Sequence, residues 1–299
     1  GMSASDATVI ARFSRRMRLA MAAGAHAEAR IKGKKLKPVC GDQVRAEEIP
    51  GERDWLITEI VERRNALTRP NQRGETEVLA ANIDLVVVVA AAAPEADWFV
   101  VDRYLCSAEN MNAVAAIVFN KTDVAFGDAC RDAMSIYARI GYATAVCSAE
   151  SGDGCDDFAA LFSDRTAIVV GQSGAGKSTL INRMAGEPAQ KTAAISDKTG
   201  EGRHTTVNSV MLALVNGGSV IDSPGVRDFA PALSSHDEAV IGFREEAQRG
   251  VDCRFANCKH LREPDCAVKN AVNAREIDPR RYESYKRTVA LTGRLGRDH

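Results

Sequence analysis

No segment of this chain is built to cross a bilayer. Its longest apolar run, Ile83 to Pro94, falls short of the roughly 20 residues that a spanning helix needs, and Glu95 and Asp97 follow at once. The residues up to Arg18 hold no apolar stretch leading to a small-residue cleavage site, so no secretory leader is expected; Gly1 ahead of Met2 reads as an expression scar. Eight cysteines among 299 residues are too sparse for a disulfide scaffold, which suits the reducing cytoplasm, the expected location. Internal repeats and low-complexity tracts are absent. The formal net charge of -1 favours no class of partner, but residues 1–45 hold ten Lys or Arg against three Asp or Glu. That local excess suits an acidic polymer.

What is present is a change of rhythm along the chain. A length of 299 residues exceeds what one hydrophobic core supports, so more than one domain is expected. Before about residue 72 lie short strand-like pieces, Val39 to Ala46 and Trp55 to Val61, divided by the turn-rich Ile49 to Asp54. From Ile83, apolar strands alternate with helix-length segments: Ile83 to Ala93, Asp97 to Asn110, Val114 to Asn120, and later Thr166 to Val170. This is the alternation of βαβ units around a parallel sheet, an α/β fold. Val210 to Val215 and Ser219 to Asp222 read as a hairpin across Asn216, Gly217 and Gly218. Beyond about Ala230 the composition turns polar, helical and cysteine-containing. The expected boundaries are 1–72, 73–232 and 233–299.

Gly171, Gln172, Ser173, Gly174, Ala175, Gly176, Lys177 and Ser178 match GxxxxGK[ST], with Thr179 next, directly after an apolar strand and before a helical stretch. Glycines there let backbone N–H groups face phosphate oxygens, and the helix N-terminus adds partial positive charge. Lys177 would reach the β- and γ-phosphates, and the Ser178 hydroxyl would hold Mg²⁺. Asn120, Lys121, Thr122 and Asp123 end another apolar strand. A carboxylate at Asp123 accepts from guanine N1–H and the 2-amino group, which adenine does not offer, so GTP and GDP are the expected ligands. Asn120 would hold the loop near the base, and the Lys121 stem would cover the ring. Ser148 and Ala149, after Ala143 to Cys147, offer backbone N–H donation to guanine O6, although such a pair alone is an ordinary loop. Asp222, Ser223, Pro224 and Gly225 follow a strand, with Asp222 supporting Mg²⁺ and the Gly225 N–H facing the γ-phosphate. Between them, Gly202, Arg203, His204, Thr205 and Thr206 form a candidate switch whose sensing threonine is Thr205 or Thr206.

The base loops precede the phosphate loop, the reverse of the usual order. The same sheet forms if the usual termini are joined through roughly Glu150 to Arg165 and the chain is opened after Gly225. With Arg63 to Pro70, the stretch Asp102, Arg103, Tyr104, Leu105 and a cysteine cluster near the end, these motifs resemble the circularly permuted, small-ribosomal-subunit-dependent GTPases of bacteria called RsgA. The resemblance spans about Arg63 to Tyr285. It implies an N-terminal OB-like β-barrel, a circularly permuted P-loop GTPase domain and a mainly helical, zinc-binding C-terminal domain.

Cys253, Cys258, His260 and Cys266 have that family's CxxxxCxHxxxxxC spacing. Three thiolates and an imidazole complete a tetrahedral Zn²⁺ shell, so one structural zinc is expected. Val226 stands where many GTPases carry a water-positioning glutamine, which predicts slow intrinsic turnover. His204 is then the candidate to position water, as the family's switch histidine does, with Lys177 and a threonine at 205 or 206 completing the catalytic set; an exposed loop histidine without a task is the competing reading. Arg12, Arg15, Arg16, Arg18, Arg30, Lys32, Lys34, Lys35 and Lys37 form a basic arm suited to phosphates, with Arg280, Arg281, Lys286 and Arg287 as a second candidate contact. The resemblance makes the small ribosomal subunit and its rRNA the expected partners of a monomer that does not engage membranes. A GTP-gated RNA-binding module with incidental hydrolysis is the alternative.

Overall fold

The computed structural model describes residues 4–14, 16–70, 75–195, 207–215, 217–227, 229, 231, 233 and 235–295. Strands β1 (Ser5–Phe13), β2 (Met17–Met21), β3 (His26–Ile31), β4 (Gln43–Glu48) and β5 (Trp55–Ile60) come first, then the hairpin β6 (Ala66–Pro70) and β7 (Thr76–Ala81). An alternating stretch follows: β8 (Leu85–Ala91), α1 (Trp98–Asn110), β9 (Val114–Asn120), α2 (Asp128–Ile140), β10 (Ala143–Val146), β11 (Thr166–Gly171) and α3 (Lys177–Ile195). After these come β12 (Val207–Ala213), β13 (Ser219–Asp222), and helices α4 (Pro224–Arg227), α5 (His236–Gly242), α6 (Arg244–Gly250), α7 (Ala267–Asn273) and α8 (Pro279–Leu295). The chain forms two compact units, one of Gly1–Leu85, Cys155–Val170 and Lys177–Phe229, the other of Val86–Gly154, Gly171–Gly176 and Ala230–His299.

In the first unit β1-β2-β3-β5-β4 close into a barrel because β4 pairs back onto β1. Alternation along the strands turns Ala7, Val9, Met17, Leu19, Ala29, Val44, Ala46 and Ile57 inward, a core of small and branched side chains that fits a narrow barrel. The OB-like architecture is therefore as expected, but β4 starts at Gln43 rather than Val39. Residues 39–42 instead form a turn, in which the buried Asp42 carboxylate accepts the Val39 N–H at 2.9 Å and two bonds from Arg63 at 2.7 and 2.8 Å. The expected basic arm is likewise built into the barrel: Arg12 lies on β1, Arg18 on β2 and Arg30 on β3. Arg15 is outside the described residues. Beyond a register shift, the far end of β1 pairs antiparallel with β12, which forms the expected hairpin with β13, itself parallel to β11.

In the second unit the parallel strands run in the order β10-β9-β8, and β8 is buried along its whole length. The Asp97 carboxylate caps α1, accepting from Phe99 and Val100 N–H at 3.0 and 3.3 Å, which is why the helix begins there. Helices α5 and α8 pack on α1 around Cys106, Ala239, Phe243 and Tyr285.

A buried charge cluster fixes those helices. Asp102 on α1 accepts from Tyr137 Oη at 2.6 Å, Arg281 Nη1 at 2.8 Å and Arg280 Nη1 at 3.0 Å. Arg281 also forks onto Glu245 of α6 at 2.6 and 2.9 Å. Burial works against the Arg281 charge, but Asp102 and Glu245 outweigh it and push its pKa up. Burial, and after it the neighbouring Glu245 charge, push Glu246 up to about 8. This corrects the reading of Arg280 and Arg281 as nucleic-acid contacts. Arg281 has no exposed side chain, and both guanidinium groups are engaged by Asp102. Removing one partner of such a pair leaves an unpaired buried charge, so Asp102→Ala is expected to lower unfolding free energy by about 3–5 kcal/mol. Guanidinium unfolding of the full chain, followed by circular dichroism, measures it.

Candidate functional site

The end of β9 organises the second unit's loops. Asn120 is buried, and its amide works in two directions: Nδ2 donates to Ala175 O at 3.0 Å while Oδ1 accepts the Ala149 N–H at 2.8 Å. One side chain thus joins the phosphate loop to the 148–149 loop. Lys121, at a left-handed φ of 62°, extends its ammonium to Ala93 O at 2.8 Å and Gly174 O at 2.5 Å. Both residues therefore brace the loop Gly171–Gly176, while Asp123 is exposed. Gly176 has a steric reason to be glycine. Its φ is +92°, and a Cβ there would meet Asn120 Nδ2 at 2.3 Å.

Ser148 is buried, its N–H donates to Asp153 O at 2.9 Å, and its Oγ accepts the Ser151 N–H at 3.1 Å. The loop expected to donate to guanine is thus tightly folded, with the Ala149 N–H directed at Asn120. That local pairing was not visible in sequence.

In the first unit Lys177 opens α3 and is buried, with Ser178 half-buried and Thr179 exposed beside it. Asp222 ends β13, Gly225 lies in the one-turn α4, and Val226 is fully buried. Arg227, to which sequence reasoning gave no role, donates Nε and Nη2 to the two Asp222 oxygens at 2.6 Å each. Gly202, Arg203, His204, Thr205 and Thr206 lie outside the described residues.

Cys253, Cys258, His260 and Cys266 bring their ligand atoms within 4.8 Å of one another. Cys253 Sγ is 3.8 Å from Cys266 Sγ, and each lies 3.5 Å from His260 Nδ1. A tetrahedral ion with bonds of about 2.3 Å to sulfur and 2.0 Å to nitrogen spaces its ligands by about 3.8 and 3.5 Å. The spacing therefore fits one metal ion. Burial lowers the His260 pKa, keeping the imidazole in its neutral, ligating form, and pushes the Cys258 thiol up to about 12, so a cation is what would make it a thiolate. Glu263 braces the loop. Burial would raise its pKa, but backbone N–H donors, including those of Lys259, Leu261 and Arg262 at 3.0 Å, outweigh it and bring it down to about 2.

A glycine-rich loop between strand and helix, braced by an Asn-Lys-x-Asp segment that precedes it in the chain, defines a P-loop GTPase of permuted order. The crystal structure of YjeQ from Thermotoga maritima matches with a TM-score of 0.78 at 26% identity, covering 97% of this chain and 99% of that one. YloQ, described as a circularly permuted GTPase, shares the fold with a TM-score of 0.76 at 24% identity, covering 99% and 96%. The family model for the RsgA GTPase matches residues 60–231. Relatives named small ribosomal subunit biogenesis GTPase RsgA include one from Actinobacillus succinogenes, 39% identical over 79% of this chain and 68% of its own. Another, from Histophilus somni, is 36% identical over 95% and 83%. The chain belongs to the RsgA GTPase family and is an enzyme that hydrolyses GTP.

The brace gives a direct test. Gly176→Ala sets a methyl group against the Asn120 amide, so GTP affinity should fall by at least about tenfold, the effect of roughly 1.4 kcal/mol of lost binding. Titration with a fluorescent GTP analogue measures this, and wild-type affinity would contradict it.

Proposed function

We propose that this chain binds the small ribosomal subunit and assists its late maturation, hydrolysing GTP to GDP and phosphate at a rate that the subunit raises. The observation carrying this reading is the Asn120 and Lys121 brace around the phosphate loop, in a chain whose relatives are named for small-subunit biogenesis. The GTP-gated RNA-binding module with incidental hydrolysis is not favoured, since the family is one of GTPases.

Each site residue has a physical task in this reading. Asp123 pairs with the guanine N1–H and 2-amino group, and the Ala149 N–H shares itself between Asn120 and guanine O6. Backbone amides of 171–176 surround the phosphates, with Lys177 neutralising β- and γ-oxygens and Thr179 on the same turn. Ser178 and Asp222 supply oxygen ligands of the kind that hold Mg²⁺, which offsets charge building on the phosphates. Gly225 N–H meets the γ-phosphate. Buried Val226 orients no water, so that task falls to His204, with Thr205 or Thr206 sensing the γ-phosphate; these three rest on the motif alone. Cys253, Cys258, His260 and Cys266 hold one structural Zn²⁺. Residues 1–72 form the RNA-binding domain, 73–232 the GTPase domain and 233–299 the zinc domain of a cytoplasmic monomer.

Two of the barrel arginines already have carboxylate partners. Arg18 pairs with Glu28 at 2.7 Å, and Arg30 pairs with Glu52. Lys32, Lys34, Lys35 and Lys37, in the β3–β4 connection, are all exposed and have no ion pair among the described residues. They are the better rRNA contact.

Purified small subunits should raise GTP turnover tenfold or more, which needs about 1.4 kcal/mol of added transition-state stabilisation. Flat turnover across a subunit titration at low salt would remove the proposal. Protein purified in reducing buffer without added zinc should carry about one zinc per chain, as a closed four-ligand shell implies. Cys258→Ser should lose that zinc and loosen the C-terminal region while largely keeping GTP binding, as elemental analysis and limited proteolysis can report.

A further inference from the structure

The carboxylate at the end of β13 is already taken. Asp222 receives both bonds of a guanidinium fork from Arg227, five residues on, with side-chain exposures of 14% and 38%. A two-bond fork is the geometry in which arginine holds a carboxylate most strongly. The intervening turn is folded around it: Arg227 N–H donates to Ser223 O at 2.9 Å, and Val226 N–H donates to Ser223 Oγ at 3.1 Å. Gly225 sits inside this turn. The same carboxylate thus has two possible cations, the guanidinium of its own turn and a hard divalent ion that prefers carboxylate and water oxygens.

Resting on the reading of Asp222 as the Mg²⁺-supporting carboxylate, we propose that Arg227 is a built-in competitor of Mg²⁺. It occupies Asp222 until Mg²⁺ arrives with GTP and then yields. Release frees the Pro224–Arg227 turn, so that the Gly225 N–H reorients as the metal is taken up. Exposure decides that this pair can open where another cannot. Arg281 and Asp102 have no exposed side-chain surface, and separating them would strand buried charge. Arg227 is more than a third exposed, so water takes up the released guanidinium at small cost. Arg227 is therefore a positioning residue: it acts through Asp222 and sets the Mg²⁺ concentration at which the Pro224–Arg227 turn rearranges.

The test uses the full chain as wild type, Arg227→Gln, Arg227→Lys and Asp222→Asn, each checked for folding by circular dichroism. Binding of a fluorescent, non-hydrolysable GTP analogue is titrated against Mg²⁺, and Mn²⁺ uptake on the same complexes is read by electron paramagnetic resonance. Arg227→Gln should lower the half-saturating metal concentration about fivefold, in line with losing one partly exposed charged fork. Arg227→Lys, which keeps the charge without the fork, should fall between Gln and wild type and stands in if the Gln variant does not fold. Asp222→Asn should remove most of the metal dependence. If Asp222→Asn behaves as wild type, the magnesium reading of Asp222 fails and the competitor falls with it. If Asp222→Asn is defective while both Arg227 variants keep or raise the wild-type midpoint, only the competitor is overturned.

Discussion

The contact between Asp102 and Arg281 is the constraint on which the second unit depends. Two opposite charges without exposed surface meet at 2.8 Å, and each has further partners on other helices. Such a pair adds little net stability, because desolvation offsets most of the attraction. What it adds is uniqueness. Tyr137 on α2, Glu245 on α6 and Arg280 and Arg281 on α8 are satisfied together only when all three helices stand in one register against α1. A slip of one turn in α8 would leave Asp102 without either arginine, and a slip of α2 or α6 would strip Asp102 or Arg281 of a partner. Helix α1 also joins β8 to β9, the strand that ends on Asn120, so the C-terminal helices and the strand that carries the Asn120 brace are fixed by one piece of chain.

A comparable economy holds in the first unit. Strand β1 is long enough to serve two structures: Ser5 to Thr8 pair with β4 to close the barrel, and Ala11 to Phe13 pair with β12. The register shift after Val9 lets one strand follow both curvatures. Strand β12 is also where the chain goes directly after the segment holding His204, Thr205 and Thr206.

Much of this was legible in the sequence, for a physical reason that also marks the limit. Elements made by near neighbours announce themselves: the helix opening at Trp98 behind Asp97, the apolar strand Val114–Asn120, and the turn before α3 each follow from a few adjacent residues. The cysteine and histidine spacing foretold a cluster for the same reason. Contacts that join distant residues left no periodic trace. Asp102 reads as one polar residue on an amphipathic helix, and nothing near it points to Arg281. The start of β4 was misjudged because Asp42 turns the backbone with the help of Arg63, 21 residues on. Arg227 is close to Asp222 in sequence, yet the fork depends on a one-turn helix that four residues do not advertise.

The distribution of cations follows the chemistry of the two side chains. Arginine, whose planar fork matches a carboxylate, is used in pairs: Arg18 with Glu28 at the surface, and Arg63 with Asp42, Arg244 with Glu109 and Arg281 with Asp102 and Glu245 further in. Lysine, a hydrated point charge on a flexible stem, is left outside at Lys32, Lys34, Lys35 and Lys37. Counting charges in residues 1–45 therefore overstates the basic surface, since several arginines in that count are neutralised by partners brought in from later strands and turns. What remains is a compact lysine loop, which attracts phosphate without demanding a particular geometry.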